Sequence, residues 1–403
     1  MYLDLALLAG GVLVFSCIVA KVERSWLTGP IWFIAFGFAI GPLGFELLSF
    51  QANAGTIRFL AEITLALVLF IDATSADLSV LRRESSIPIR MLCVGLPLTL
   101  LAGFGAGMLF FAGLTLLEIA ILATVLAPTD AALGQEVVKN KAVPAPLRQG
   151  LNAESGLNDG ICVPILYLFL ALAATALGHT DSHGEHGSGN HLGLTLLVKE
   201  LGIGLGVGVV MVTLTSTLLR FIHKRKWINH IWMQAPVVAL AICSFALAQH
   251  LGGSGFIAAF CGGLLFGYQM KTQKEHFLHP AEGVSEVFAL VTWVLFGATV
   301  VGHSIKYLTP AIFFYALLSL TLLRMLPIYI SLTGSRLDNE SKLFLGWFGP
   351  RGLASIVFGV IVMNAELPGG NTIITVVAVT VTMSVLLHGI TAAPWVNRWS
   401  RRP

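Results

Sequence analysis

Charge is what this sequence has least of. Asp, Glu, Lys and Arg make up 11% of its 403 residues, less than half of the roughly 25% usual in a soluble domain. Together with a mean hydropathy of +0.84, that excludes a soluble globular fold. Cysteine is scarce too. Cys17, Cys93, Cys162, Cys243 and Cys261 fall in apolar runs with no CxxC or CxxH spacing. This argues against a disulfide or thiolate metal role and leaves small buried core residues as their reading. Neither sign of charge dominates: the net value of +3 is too small to argue for nucleic acid. The first apolar run lacks a basic n-region and a clear cleavage site, so it reads as a first span rather than a removed signal peptide. No nucleophile–base set or metal cluster is visible, so an enzyme is the least favoured class, and no cofactor is expected.

What the chain has is apolar length. Hydropathy, punctuated by Pro, Gly and charge, divides it into thirteen spans at about 2–20, 26–48, 56–76, 87–112, 115–139, 144–176, 193–221, 230–249, 253–270, 283–302, 308–333, 341–364 and 371–397. The expected fold is an all-α polytopic membrane protein in contact with lipid, with no residues left over for a soluble domain. Gly202, Gly204, Gly206 and Gly208 predict close helix packing.

The basic residues set the orientation. With the N-terminus outside, the inner segments carry Lys21, Arg24, Arg82, Arg83, Arg90, Lys139, Lys141, Arg148, Arg220, Lys224, Arg225, Lys226, Lys271, Lys274, Arg336, Lys342, Arg398, Arg401 and Arg402. The outer segments carry only Arg58, Lys199 and Lys306. A miscounted helix would scramble this alternation, so it supports both the count and a cytoplasmic C-terminus. The outer loop at 178–191, with His179, His183, His186 and His191, reads as a solvated loop, with divalent-metal binding or pH sensing as the alternative.

An odd span count suggests two six-span inverted repeats around an extra span. Span 5 is interrupted at Ala127-Pro128-Thr129-Asp130 and span 12 at Gly349-Pro350-Arg351-Gly352. Each Pro is followed within two residues by a charge, and the two charges are opposite. Paired broken segments in corresponding positions are the best sequence pointer to a transporter's binding site.

The chemistry concentrates at 124–164. A carboxylate at membrane depth costs about 3 kcal/mol on insertion scales and reads by default as an ion or proton site. Pro128 removes an N–H and frees backbone carbonyls, which with the Thr129 hydroxyl are oxygen ligands suited to a small hard cation. Asp130 and Arg351 are read as charges stabilising two crossing broken helices through their dipoles. In span 6, Ser155 shares a helical face with Asn158 and Asp159, and Glu154 lies at its edge. Asp159 is assigned the alternation between H⁺ and a metal ion. Glu154 needs a buried cation, either Arg324 or Arg351. Asp72 and Asp77, at the inner end of span 3, are read as a possible cation path. Glu62 and Glu118 lie near span ends and are read as solvated. His388 is a lone intramembrane histidine, read as packing in the core.

The combination of Thr129-Asp130 after Pro128, Glu154-Ser155 followed by Asn158-Asp159, and Pro350-Arg351-Gly352 resembles the monovalent cation/proton antiporters. It is most similar to their NhaP branch of sodium/proton antiporters, which is related to the animal sodium/proton exchangers. The resemblance covers essentially the whole chain. It implies a homodimer in the cell membrane, with a moving core (about 87–176 and 308–397) and a dimerisation scaffold (about 1–80 and 193–302). It further implies competition of Na⁺ and H⁺ for Asp159, with Thr129 and Ser155 as Na⁺ ligands or close to them. Asn158 would orient the site, Asp130 and Arg351 would balance the crossing helices, and Glu154 would pair with Arg324. In that family the Asn-Asp form goes with electroneutral one-for-one exchange. Asp72 is the nearest candidate for the extra acid that some members carry in span 3.

The resulting expectation is antiport of Na⁺, or Li⁺ or K⁺, against H⁺, by alternating access. A potassium/proton-selective member and a cation-coupled organic-anion carrier of similar inverted-repeat fold are the alternatives. A channel or a sensor is disfavoured, since no filter-like repeat and no signalling domain is present.

Overall fold

The computed structural model describes residues 2–22, 28–47, 54–76, 86–130, 133, 137, 140–177, 189–225, 227, 232, 235–271 and 274–400. Among them there are helices and no strands. In chain order these are α1 (Tyr2–Val22), α2 (Gly29–Ile40), α3 (Ala54–Ser75), α4 (Ser86–Phe110, with a π-helical turn at Met91–Gly95), α5 (Leu116–Val125), α6 (Ala145–Ala176) and α7 (Gly189–Arg225). Then come α8 (Ala235–His250), α9 (Gly255–Gln269) and α10 (Lys274–Leu295, running on through a π-helical turn at Phe296–Val301 and Gly302–Ile305). The last are α11 (Pro310–Leu320 and Leu322–Ser331), α12 (Asn339–Trp347), α13 (Leu353–Asn364) and α14 (Gly370–Ser400). Among the described residues, seven stretches are long and apolar enough to cross a membrane, and five shorter helices are also apolar.

This is the all-α polytopic architecture expected, and each of the thirteen spans contains one of these helices. Span 12 is divided between α12 and α13. Span 5 begins with α5, and most of its second half lies outside the described residues. So do Asp77 and most of the histidine loop; of the side chains of 189–191 nothing is described.

The chain divides into two compact units, Met1–Ala61 with Val80–Asn158 and Ala289–Pro403, and Glu62–Ser79 with Asp159–Phe288. In the first, α2 packs on the π-helical turn of α10 at backbone distance. A Cβ on Gly37 would collide with the carbonyl of Val294, and one on Gly41 would come within 2.9 Å of the Ala298 carbonyl. A cluster of Phe344, Phe348, Trp395 and Trp399 joins α12 to α14, with Phe344 and Trp395 stacked at 5.7 Å. In the second unit, α7 packs on α9 through alternate members of its glycine run. Cβ atoms on Gly204 and Gly208 would meet the carbonyls of Ser254 and Ala258 at 2.5 and 2.6 Å, whereas Gly202 and Gly206 face open space. Where water supplies no force between helices, such close approach is what holds them.

Two sequence readings are corrected here. Of the five free cysteines, Cys162 is buried and Cys261 partly so, but Cys17, Cys93 and Cys243 are exposed. In a membrane protein the outer surface is itself apolar, so a small hydrophobe is as well placed there as in the core. Glu62 and Glu118 are not solvated: they are 8% and 2% exposed. Glu118 is held by a capping box at the start of α5, accepting from the Thr115 amide at 2.9 Å, and it also accepts from the Gly369 amide ahead of α14. A carboxylate at a helix N-terminus satisfies donors that the helix cannot.

The α7–α9 contact makes a controlled prediction. Gly208→Val forces the α7 and α9 backbones apart and lowers the unfolding temperature of the detergent-purified protein, at a cost of about 1–3 kcal/mol for overpacking. Gly206→Val, one turn face away on the same helix, leaves it unchanged.

Candidate functional site

The site begins where α5 stops. After Val125 the chain runs without helical structure through Leu126–Asp130, because Pro128 has no N–H to continue the ladder. α12 likewise stops at Trp347, and α13 does not start until Leu353. Each interruption strands polar backbone groups in a buried region, where an unmade hydrogen bond costs about 1–3 kcal/mol.

The two interruptions solve the problem for each other. The Asp130 amide donates to the Pro350 carbonyl at 2.8 Å, and the Leu353 amide donates to Asp130 Oδ2 at 3.0 Å. The Asp130 carboxylate therefore sits at the N-terminal end of α13. In return, Arg351 Nη1 donates to the carbonyls of Ala127 and Pro128 at 2.9 and 3.2 Å, beyond the C-terminal end of α5. Ser355 Oγ adds a bond to the Val125 carbonyl at 2.8 Å. A negative charge meets the positive end of a helix dipole and a positive charge meets a negative end, and in each case the helix belongs to the opposite span. Sequence spacing located both charges but did not show this exchange between spans.

Two glycines permit the approach. A Cβ on Gly352 would collide with the Asp130 carboxylate, and one on Gly349 would lie 2.6 Å from Arg324 Nε. The Gly-Pro-Arg-Gly sequence is thus required on both flanks for contact, and its arginine for charge.

Against this crossing lies α6. Glu154 forms a two-pronged pair with Arg324, with Nη1 to Oε1 at 2.6 Å and Nη2 to Oε2 at 2.8 Å, both side chains being 1% exposed. That answers which arginine serves Glu154. Arg324 reaches it from α11, whose helix is interrupted at Thr321. Thr129 is the hub of the remaining bonds. Its carbonyl accepts from Ser155 Oγ, and its hydroxyl lies 3.5 Å from Glu154 Oε2 and 2.7 Å from Asn158 Nδ2. An ionised carboxylate can only accept, so the Thr129 proton points at Glu154. The hydroxyl lone pair must then take the Asn158 NH₂ group. This fixes the amide and leaves Asn158 Oδ1 buried with no hydrogen-bond partner among the described residues. Asp159, 6% exposed, follows on the same helix.

The structure thus brings Thr129, Asp130, Glu154, Ser155, Asn158, Arg324 and Arg351 into one bonded set. Asp159 takes its place from α6. Asp72 is half-buried on α3. Among the described residues no group of three or more His, Cys, Asp or Glu forms a metal cluster. Sequence reasoning missed Ser355, Ser384 and the clasp made by Glu118. Ser384 and His388 stand four apart on span 13, and that spacing was the available signal that the histidine acts with a partner.

Breaking the Glu154–Arg324 pair from one side leaves an uncompensated buried charge, which costs about 3–5 kcal/mol. Arg324→Leu is expected to lower the unfolding temperature sharply. Glu154→Leu combined with Arg324→Leu should recover much of that loss, since the double variant buries no charge. Thermal unfolding of the purified variants in detergent checks this; a double variant no more stable than the worse single one contradicts it.

Comparison with known proteins places the chain in a family. The model of the sodium/hydrogen exchanger transmembrane family matches residues 11–398. A K⁺/H⁺ antiporter, NhaP2 of Shewanella sp. strain MR-4, is 22% identical over 386 residues, covering 95% of this chain and 65% of its own length. A Na⁺/H⁺ antiporter of Saccharomyces cerevisiae is 28% identical over 377 residues, covering 88% of this chain and 37% of its own. The chain therefore spans less than two thirds of these relatives. The solved structure of the sodium proton antiporter MjNhaP1 from Methanocaldococcus jannaschii at pH 8 superposes with a TM-score of 0.79 at 20% identity, covering 100% of this chain and 99% of that one. With a family model matched over nearly its whole length, and a fold shared with MjNhaP1, this chain belongs to the sodium/hydrogen exchanger family.

Proposed function

We propose that this protein exchanges a monovalent cation, Na⁺ or alternatively Li⁺ or K⁺, for H⁺ across the cell membrane, through competition of the two at Asp159. The observation that carries the reading is how the acids beside Asp159 are used. Glu154 is neutralised by a two-pronged bond to Arg324, and Asp130 is engaged at the N-terminal end of α13. Neither is free to trade a proton for an ion. Next to Asp159 in sequence stands a buried side-chain oxygen with no hydrogen-bond partner among the described residues, Asn158 Oδ1. A carboxylate beside an uncommitted carbonyl oxygen is chemistry that a small hard cation takes, and a proton on the carboxylate serves the same charge.

Thr129 and Ser155 complete the candidate ligand set, and Asn158 holds its orientation through the Thr129 hydroxyl. One exchangeable carboxylate per site gives one cation for one proton, hence transport without net charge. The cation and proton are cargo, and no resident cofactor is required. The two-pronged pair and the crossing charges keep the site in register while access alternates between the two sides. In this reading the core spans, about 87–176 and 308–397, move against the scaffold spans, about 1–80 and 193–302. The protein works as a homodimer with its N-terminus outside and its C-terminus cytoplasmic.

Both names borne by relatives, K⁺/H⁺ and Na⁺/H⁺ antiporter, make the choice of ion part of the test. An organic-anion carrier is less well supported, because Arg324 and Arg351 are each engaged by oxygens of the protein itself.

The test uses proteoliposomes with a pH dye inside and the voltage clamped. External Na⁺, Li⁺ or K⁺ should alkalinise the lumen while choline does not, with a rate insensitive to voltage. Asp159→Asn should fall to the level of empty liposomes. Cation-independent proton movement, or full activity in Asp159→Asn, would sink the proposal.

A further inference from the structure

His388 is the buried titratable group that the exchange chemistry above does not use. It is 2% exposed, in the middle of α14. Its Nε2 lies 2.8 Å from the carbonyl oxygen of Trp347, the last residue of α12. A carbonyl only accepts, so that bond uses the neutral tautomer with its hydrogen on Nε2, in which Nδ1 is an acceptor whose partner is the Ser384 hydroxyl and not the Ser384 carbonyl. The imidazole ring also stacks on the Trp347 indole, at 5.0 Å and 29°. Its Nδ1 faces Ser384, 2.8 Å from the carbonyl and 3.3 Å from the hydroxyl oxygen. Ser384 Oγ in turn accepts from the Arg351 amide at 2.7 Å.

These two bonds have a common origin. In an unbroken α-helix the carbonyl of residue 347 accepts from the amide of residue 351. The interruption at Gly349-Pro350 separates those two groups: the Arg351 amide is buried, and the carbonyl of half-buried Trp347 takes a tight-turn bond from the Gly349 amide at 2.7 Å in place of the helical one. Ser384 and His388, four apart on α14 and therefore on one face, supply what each has lost: His388 gives a donor to the Trp347 carbonyl and Ser384 gives an acceptor to the Arg351 amide. A third residue of the same stripe, Thr391, takes the Trp347 indole N–H at 2.9 Å. The indole that stacks on His388 is thereby pinned from the same helix.

We propose that Ser384 and His388 form a brace across the interruption in span 12, standing in for its missing helical hydrogen bond, and that they are positioning residues for the ion site. The brace holds Arg351 at the register from which its guanidinium reaches the Ala127 and Pro128 carbonyls. Those carbonyls precede Thr129, the hub of the candidate ligand set. Loss of the brace is therefore felt as a misplaced site rather than as lost chemistry. No change of protonation at His388 is invoked. A neutral amide, which also carries one donor and one acceptor, should replace the imidazole. The charged groups whose fields reach the ring are Arg351 and Arg324.

The inference rests on the antiport reading for its functional readout, and the experiment keeps the two apart. Wild type, His388→Gln, His388→Leu, Ser384→Ala and the His388→Leu/Ser384→Ala double variant are reconstituted and assayed for cation-driven proton movement against cation concentration and pH. His388→Gln should stay within about twofold of wild type with an unchanged pH profile. His388→Leu and Ser384→Ala should each raise the apparent KM about tenfold, equivalent to ~1.4 kcal/mol, with a much smaller effect on maximal rate. The double variant should be little worse than either single one, because both remove the same surrogate bond. The brace is overturned if His388→Gln is as impaired as His388→Leu, if the two single effects multiply, or if His388→Leu keeps a normal KM. Should wild type show no exchange, the antiport reading fails alone. The brace is then decided by thermal unfolding of the same detergent-purified variants, where Gln rescue and the non-multiplying pair are again the expected results.

Discussion

A membrane helix that breaks leaves carbonyl and amide groups where no water can reach them, and in this protein two such breaks, at 126–130 and 348–352, meet each other. The arrangement of its centre follows from that constraint. Val125, Ala127, Pro128, Thr129 and Trp347 offer carbonyls, and Asp130, Arg351 and Leu353 offer amides, that continuous helices would have used internally. Each is met from another element, by Ser355, Arg351, Ser155, His388, Pro350, Ser384 or Asp130. At about 1–3 kcal/mol for each buried group left unmade, these bonds are as consequential as the apolar packing around them. The charges of Asp130 and Arg351 cancel the dipole ends of one another's spans, so the crossing is neutral as a unit.

Once the crossing is neutral, the acids on α6 separate by role. Glu154 belongs to Arg324. It ties α6 to α11 and, through the Thr129 hydroxyl, orients Asn158. The amide oxygen of Asn158 is then left without a partner among the described residues, next to Asp159 in the chain. In the proposed exchange it is this division of labour, and not the number of acids, that sets one proton against one cation. A pair of neighbouring exchangeable carboxylates would carry two protons; here the position before Asp159 holds an amide.

Much of this was legible in the sequence. The thirteen apolar runs, the two Pro-centred interruptions and the acids of span 6 are strong signals, because a charge at membrane depth is costly and a Pro inside a span is a defined break. The arginine partner of Glu154 was not legible from residues alone, since Arg324 and Arg351 are both intramembrane and only geometry separates them. Glu118 read as solvated because it sits near the end of a span; its capping box with Thr115 matches a local motif, but its bond to Gly369 spans 251 positions. His388 looked like an isolated core histidine. Its meaning depends on the carbonyl of Trp347, and a backbone group left over by a break has no mark in the one-letter sequence. The cysteines failed for another reason: burial rules drawn from water do not apply to a surface that faces lipid.

Competition at one carboxylate makes a stoichiometric claim that binding alone can test, with no membrane and no gradient. Purified protein in weakly buffered detergent near neutral pH would be titrated with Na⁺, and separately with K⁺, while released protons and bound cation are both counted. The account predicts about one proton released per cation bound, with the apparent cation affinity falling as the medium is acidified. Cation binding that releases no proton, or an affinity indifferent to pH, would contradict it.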